Sequence, residues 1–357
     1  MLQYEIYKKV TVDAAMLVNS HTAPEEIDRV IKSCIQHKRP VYIELPLDVG
    51  KMPCRAPQPI DFNFDYKSNP DILSECIADT IEILDKAENP VVLIGVELLR
   101  FGLTKEALNL VEKLELPFAT TVSSKSALPE LHPQFMGIYQ GSMSKPKVKE
   151  QIETSDCVIS LGVWLTDFDT GGFTAYLDER NIINANTEQV KVKRHSYNQV
   201  FLKDFINELA EKAKPRSYFA SHPVSAYTPK PSYKSEKDTL LTAPRFYDRL
   251  NNYLTDDMIL IAEPGDAICA VPELNIEESD NFIAQAYYLS IGFCTPATLG
   301  ISLGKPDKRV ILVTGDGAFQ MTSQEISTMI RNKCNPIIFL LNNDGYLIER
   351  LDRKSVV

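Results

Sequence analysis

Residues 309–349 read RVILVTGDGAFQMTSQEISTMIRNKCNPIIFLLNNDGYLIE, two apolar strands that each end in a polar loop carrying glycine. The first loop is Gly315-Asp316-Gly317 and the second is Asn342-Asn343-Asp344-Gly345. Asp316 offers a hard carboxylate oxygen, Asn343 an amide oxygen, and Gly345 a carbonyl that no side chain shields. Mg²⁺ is typically held by one or two protein oxygens, with phosphate oxygens and water in its other octahedral positions. Glycine lets the backbone approach a ligand closely, and parallel neighbours joined by a crossover helix end at the same edge. A lone GDG is a common turn, and so is NN at a strand end. Acid-bearing loop, helix, strand and NN, in that order across one crossover, point to a Mg²⁺-diphosphate site.

Such loops can act together only at the carboxyl edge of an open parallel sheet, where ligands bind. The segment 241–351 has the elements for one: a helix over 243–254, the strand MILIAE running into PGDA, the strand RVILVTGDG, a helix over 322–331 and the strand PIIFLLNN. Residues 71–212 supply another, with helices over 71–87, 104–114 and 147–154 alternating with PVVLIG, PFATTV, CVISLGV and a last strand, NIINAN. Segments 56–70 and 213–240, rich in Pro and polar residues, read as linkers. Residues 1–55 read as a helix over 10–19, a helix over 23–36 with Thr22 as its N-cap, and a strand over 41–45. The fold class is α/β, with open parallel sheets and flanking helices.

Composition narrows the function. The 357 residues are enough for two or three domains, and 44% hydrophobic with 24% charged residues is ordinary for a soluble chain. A net charge of -10 argues against a nucleic-acid partner. Seven scattered cysteines without a CxxC pair suggest neither disulfides nor zinc, and fit a reducing cytoplasm. No apolar run reaches the roughly 20 residues of a membrane span, and MLQYEIYKKV lacks the order of a signal peptide.

NNDGYLIE resembles the NNDGYTIE of pyruvate and indolepyruvate decarboxylases, and GDG followed by NN resembles the diphosphate signature of thiamine diphosphate enzymes generally. The likeness covers nearly the whole chain. HTAPEEIDRVI…RPVYIELPLDV is similar to the end of the family's pyrimidine-binding domain (1–55), and NPVVLIG…GIYQGSMSKPKVKE…SDCVISLGVWLTDFDTGGF to its central domain (71–212). AEPGDA…LSIGF…ATLG…VTGDGAFQMTSQEISTMIR is similar to its diphosphate-binding domain (241–351). The resemblance implies a three-domain architecture, with thiamine diphosphate and Mg²⁺ as cofactors.

Residue by residue, it implies Asp316 and Asn343 as Mg²⁺ ligands with the Gly345 carbonyl, and Gly317, Ala318 and Ile348 as backbone contacts to the diphosphate. Ala318 stands where many relatives carry Ser. Asp266, with Gly265 beside it, matches a cofactor-contacting position. Ile291 is the bulky residue under the cofactor, and Leu289 and Ile291 meet the aminopyrimidine through backbone groups. Glu349 matches the active-site glutamate, whose proton exchange an apolar surrounding would tune. Leu347 replaces the usual Thr, and Glu97 stands where some yeast-type members carry a regulatory cysteine.

The implied reaction is non-oxidative decarboxylation of a 2-oxo acid in a homodimer or homotetramer whose sites lie between subunits. A carboligase of the acetolactate synthase type, commonly with FAD in the central domain, is the alternative within enzymes. A non-catalytic protein with a vestigial diphosphate half-site is the alternative outside them. The resemblance also implies that the first and third domains are incomplete and that the fragment alone is inactive. The family's pyrimidine-domain glutamate and adjacent His pair find no match, since His21, His37, His132, His195 and His222 are never adjacent. Residues 352–357 read as an artefactual tail. VLIGVELLR has no GxGxxG, which argues against NAD or FAD binding there.

Overall fold

Apolar runs as short as PVVLI, bounded by turn residues, are stable only as strands covered on both faces, and the computed structural model places them so. It describes residues 2–64, 66–216, 233–276, 278–348 and 350. The chain divides into two units, Met1–Lys67 and Ser68–Val357.

In the first unit a helix (Leu2–Val10) leads to strand β1 (Ala14–Met16), a helix (Ala23–His37) and strand β2 (Tyr42–Glu44). The strands pair in parallel, Ala14 opposite Tyr42. The helix expected over 10–19 does not form. Asp13 instead turns to the following helix, pairing with Arg29 and accepting from Ser33 Oγ at 2.9 Å. Ala15 and Leu17 then bury against Val30 at the two-residue period of a strand. Thr22 takes the N-cap position with helical backbone angles and makes no capping bond through its side chain.

In the second unit, seven strands lie in the order β5-β4-β3-β6-β7-β8-β9. They are β3 (Pro90–Ile94), β4 (Phe118–Thr121), β5 (Phe135–Tyr139), β6 (Cys157–Leu161), β7 (Ile182–Asn186), β8 (Gln189–Val192) and β9 (His195–Asn198). All five residues of β3 are buried. The helices Pro70–Lys86, Thr104–Leu114 and Leu202–Lys212 cover one face and Pro146–Glu153 the other. Asn69 starts the first of these by accepting from the N–H groups of Asp71 and Ile72 at 3.1 and 3.3 Å. NIINAN is not the last strand: β8 and β9 follow it antiparallel. Their polar sequences, QVKV and HSYN, hide alternate residues, Val190, Val192 and Tyr197, under the helices.

The same unit holds a four-stranded, all-parallel sheet ordered β11-β10-β12-β13. Its strands are β10 (Met258–Ala262), β11 (Phe282–Ala284), β12 (Arg309–Gly315) and β13 (Ile337–Leu341), with helices at Ala243–Tyr253 and Cys294–Gly304. The helix expected over 322–331 is two, Asp316–Thr322 and Glu325–Arg331, so helical structure begins at Asp316 itself. Among the described residues no helix is long and apolar enough to cross a membrane. Most of the linker 213–240, His222, Glu349 and the tail 352–357 lie outside the described residues.

Candidate functional site

β12 and β13 run side by side, Gly315 opposite Leu341, so their two polar loops leave the sheet together. Asp316 is the first residue of its helix and half-buried. Its Oδ2 accepts the Gly345 N–H at 2.8 Å. The terminal amide of Asn343 lies 3.2 Å from Asp316 Oδ1 and 2.6 Å from the Gly345 carbonyl oxygen.

That cluster tests whether a cation fits. The Asn343 amide donates its N–H groups to the other two oxygens, and the same side chain turned over would present its oxygen beside them. One carboxylate, one amide and one main-chain carbonyl meet at the loop ends and together offer the hard-oxygen types that Mg²⁺ takes. These residues fit the ion. Among the described residues no group of three or more His, Cys, Asp or Glu gathers.

Gly317 is buried, and a Cβ there would come within 2.8 Å of the Tyr346 ring, so the approach of the second loop requires glycine. Gly317 and Ala318 lie in the first helical turn, where N–H groups have no partner within the helix. Ala318 is 7% exposed. Ile291 is half-buried in the segment before the helix Cys294–Gly304. Next to it, Gly292 has φ 85° and sits against the Asp316–Thr322 helix, where an added Cβ would lie 3.0 Å from Met321 Cβ. Leu289 has φ 55°. Gly265 and Asp266 are exposed at the end of β10, Gly265 with φ 117°. Asp266 and Asn342 line one cleft of about 1190 Å³ with Tyr247 and Phe339. Burial, and then the charge of Asp266, pushes the Tyr247 hydroxyl up to about 12.

The structure thus brings Asp316, Asn343 and Gly345 into contact, sets Gly317 beside them, and packs Gly292, next to Ile291, against the helix that begins at Asp316. Ile348 is 75% exposed, with no polar contact to those loops among the described residues. Sequence reasoning missed Glu263, which is fully buried and accepts the Gly292 N–H at 2.9 Å. Burial pushes its carboxyl up, against the hydrogen bonds from Gly292, Cys294 and Thr314. The available signal was an acid directly after the apolar strand MILIA, the same signal that marks Asp316.

Two family profiles match: the thiamine pyrophosphate enzyme central domain over residues 77–212, and the thiamine pyrophosphate enzyme C-terminal TPP binding domain over 268–355. The chain is 32% identical over 362 residues to a pyruvate decarboxylase of Candida albicans, covering 98% of this chain and 63% of that protein. It is 35% identical over 357 residues to pyruvate decarboxylase isozyme 1 of Saccharomyces cerevisiae, covering 96% and 62%. The chain belongs to the thiamine diphosphate-dependent 2-oxo acid decarboxylase family. It spans under two thirds of the length of these relatives. The oxygen cluster lies within the segment that matches the family's TPP binding domain.

At the central segment's own switch point the chain's side chains occupy part of the crevice. Parallel order reverses between β3 and β6, the point where such sheets receive ligands. There Glu97, 2% exposed, accepts from Trp164 Nε1 and from the Thr187 N–H, each at 2.9 Å. Arg100 stacks on the other side of Trp164, 4.8 Å from the ring centre.

Proposed function

We propose that this chain carries the diphosphate- and Mg²⁺-binding part of an enzyme that decarboxylates a 2-oxo acid, pyruvate or indolepyruvate, to an aldehyde and CO₂. The meeting of Asp316, Asn343 and Gly345 supports this reading most directly. Asp316 and Asn343 would hold Mg²⁺ with the Gly345 carbonyl, and the N–H groups of Gly317 and Ala318, with Ile348, would meet the diphosphate. Asp266, Gly265, Leu289 and Ile291 would orient the rest of the cofactor. When bound, thiamine diphosphate supplies an electron sink for the carbanion left by loss of CO₂. Glu349 would exchange a proton with the reacting group. The domain bounds 1–55, 71–212 and 241–351, a site shared between two copies, and a cytoplasmic location belong to the same reading. The crevice partly occupied by Glu97 and Trp164 supports a decarboxylase over a carboligase that lodges FAD in its central domain.

Isothermal titration of thiamine diphosphate tests the cofactor half of this. Binding should require Mg²⁺ and fall by about 100-fold or more in Asp316→Ala, as loss of a charged metal ligand implies. Binding indifferent to both would overturn the assignment. Assays of the full-length protein with pyruvate and indolepyruvate, following aldehyde and acetolactate, separate decarboxylase from carboligase.

A further inference from the structure

Glu263 follows β10 at the carboxyl edge of the four-stranded sheet, and its side chain is fully buried. Its backbone N–H donates to Val313 O at 3.0 Å and its carbonyl accepts from the Ile268 N–H at 3.1 Å, fixing it to β12 and to the turn that carries Asp266. The carboxyl then reaches sideways. Oε1 accepts the Gly292 N–H at 2.9 Å and Oε2 accepts Thr314 Oγ1 at 3.3 Å. The Gly292 carbonyl is held from the opposite side by Thr322 Oγ1 at 2.9 Å. Cys294 Sγ adds a bond to the Ala262 carbonyl at 3.3 Å. One acid therefore touches three segments of the candidate site: the turn after β10, the 289–292 segment and the end of β12.

We propose that Glu263 is a positioning residue that, together with Thr322, clamps the peptide groups of Gly292 and so sets Ile291 at the cofactor. The role of Ile291 rests on the function proposed above. A buried carboxyl is costly to keep, and an apolar residue would pack the same space. What an apolar residue would not do is accept the Gly292 N–H. Gly292, at φ 85° against Met321, cannot be fixed by a side chain of its own. Thr314 is held independently of Glu263, because β12 is laddered on both sides by β10 and β13. The diphosphate loops should then survive loss of the carboxyl while the Ile291 segment does not.

The test uses the wild-type chain with Glu263→Ala, Glu263→Gln and Thr322→Val, and reads two quantities. The first is hydrogen–deuterium exchange without ligand. Glu263→Ala should speed exchange in peptides over 288–294 roughly tenfold, the effect of one buried hydrogen bond lost, while 309–315 keeps its wild-type rate. Thr322→Val should loosen the same peptides less, and Glu263→Gln, which keeps an acceptor at the same reach, should stay near wild type. Unchanged exchange in Glu263→Ala, a rise spread over the whole sheet, or a Gln variant as loose as Ala each overturns the proposal.

The second quantity is affinity for inorganic pyrophosphate and for thiamine diphosphate, both with Mg²⁺. Glu263→Ala should hold pyrophosphate within about threefold and bind thiamine diphosphate roughly tenfold more weakly. Equal loss for both, or loss for neither, overturns the proposal. If the wild type bound neither ligand, the proposed function would fail on this chain, and the exchange rates would still decide the role of Glu263.

Discussion

At the carboxyl edge of the seven-stranded sheet, β3 and β6 end in Gly95 and Gly162, and a Cβ on Gly95 would lie 2.1 Å from the Gly162 carbonyl oxygen. At the corresponding edge of the four-stranded sheet, a Cβ on Gly315 would meet nothing within 4 Å. The acids near the two edges differ in the same way. Asp169 is fully buried and saturated: Oδ1 accepts the Ser123 N–H at 3.2 Å, and Oδ2 accepts Ser123 Oγ and Thr166 Oγ1, both at 3.0 Å. Asp316 is half-buried, and among the described residues its two oxygens accept only from the second polar loop, Oδ2 from the Gly345 N–H and Oδ1 from the exposed Asn343 amide. Both sheets offer the architecture on which ligands are bound, and at these glycines and acids the four-stranded sheet leaves its edge the more open.

The comparison breaks most visibly at Gly95. Replacing it by Val forces a side chain into the Gly162–Val163 backbone, where nothing can swing aside. Urea unfolding should show a loss of about 3 kcal/mol or more. A variant of near wild-type stability would mean that the closed edge is looser than the structure has it.

Next come the two acids. Asp169→Ala strands the half-buried Ser123 N–H and the Ser123 and Thr166 hydroxyls, and should cost about 2 kcal/mol. Asp316→Ala gives up one N–H in a loop that water reaches, and should stay within about 1 kcal/mol while losing Mg²⁺-dependent binding. Equal stability losses would erase the distinction between a saturated acid and an available one.

A pH series sharpens it further. Burial raises the Asp169 carboxyl above its ordinary 3.8, against the hydrogen bonds from Ser123, Thr166 and Thr121. The fold therefore binds this proton more tightly than the unfolded chain does. The stability it contributes is complete below the unfolded value and is lost as pH rises through the folded one. Asp169→Asn has no such proton. Its stability relative to wild type should rise as pH climbs from about 4, as read from urea midpoints at each pH, and a flat difference would remove the raised carboxyl from the account.

What was legible in the sequence follows the same division. GDG and NN could be read because acid-bearing loop, helix, strand and NN follow in order across one crossover, and the parallel register brings the two loops together without further information. The buried strand PVVLI and the helix Thr104–Leu114 were equally plain, being set by local periodicity. β5 was not, since Gly137, with φ 129°, interrupts the run FMGIY and its pairing with β4 carries a register shift. Nor were β8 and β9, whose polar residues hide the alternation of Val190, Val192 and Tyr197. The helix at 10–19 failed because Asp13 answers to Arg29 and Ser33, partners a local window does not contain. Glu263 carried the same local signal as Asp316, but its meaning depends on Gly292 and Thr314, which only the fold brings to it.

The smallest effect is expected at Gly315. Its φ of -79° and ψ of 156° are open to any residue, so alanine there meets neither strain nor a neighbour. Gly315→Ala should shift unfolding by less than about 0.5 kcal/mol, in contrast to Gly95, although both glycines end parallel strands of one unit. A loss above about 1 kcal/mol would mean that this edge closes on itself in solution as the other does. The polar loops would then be held by contacts of their own, with no ligand needed to fill the edge.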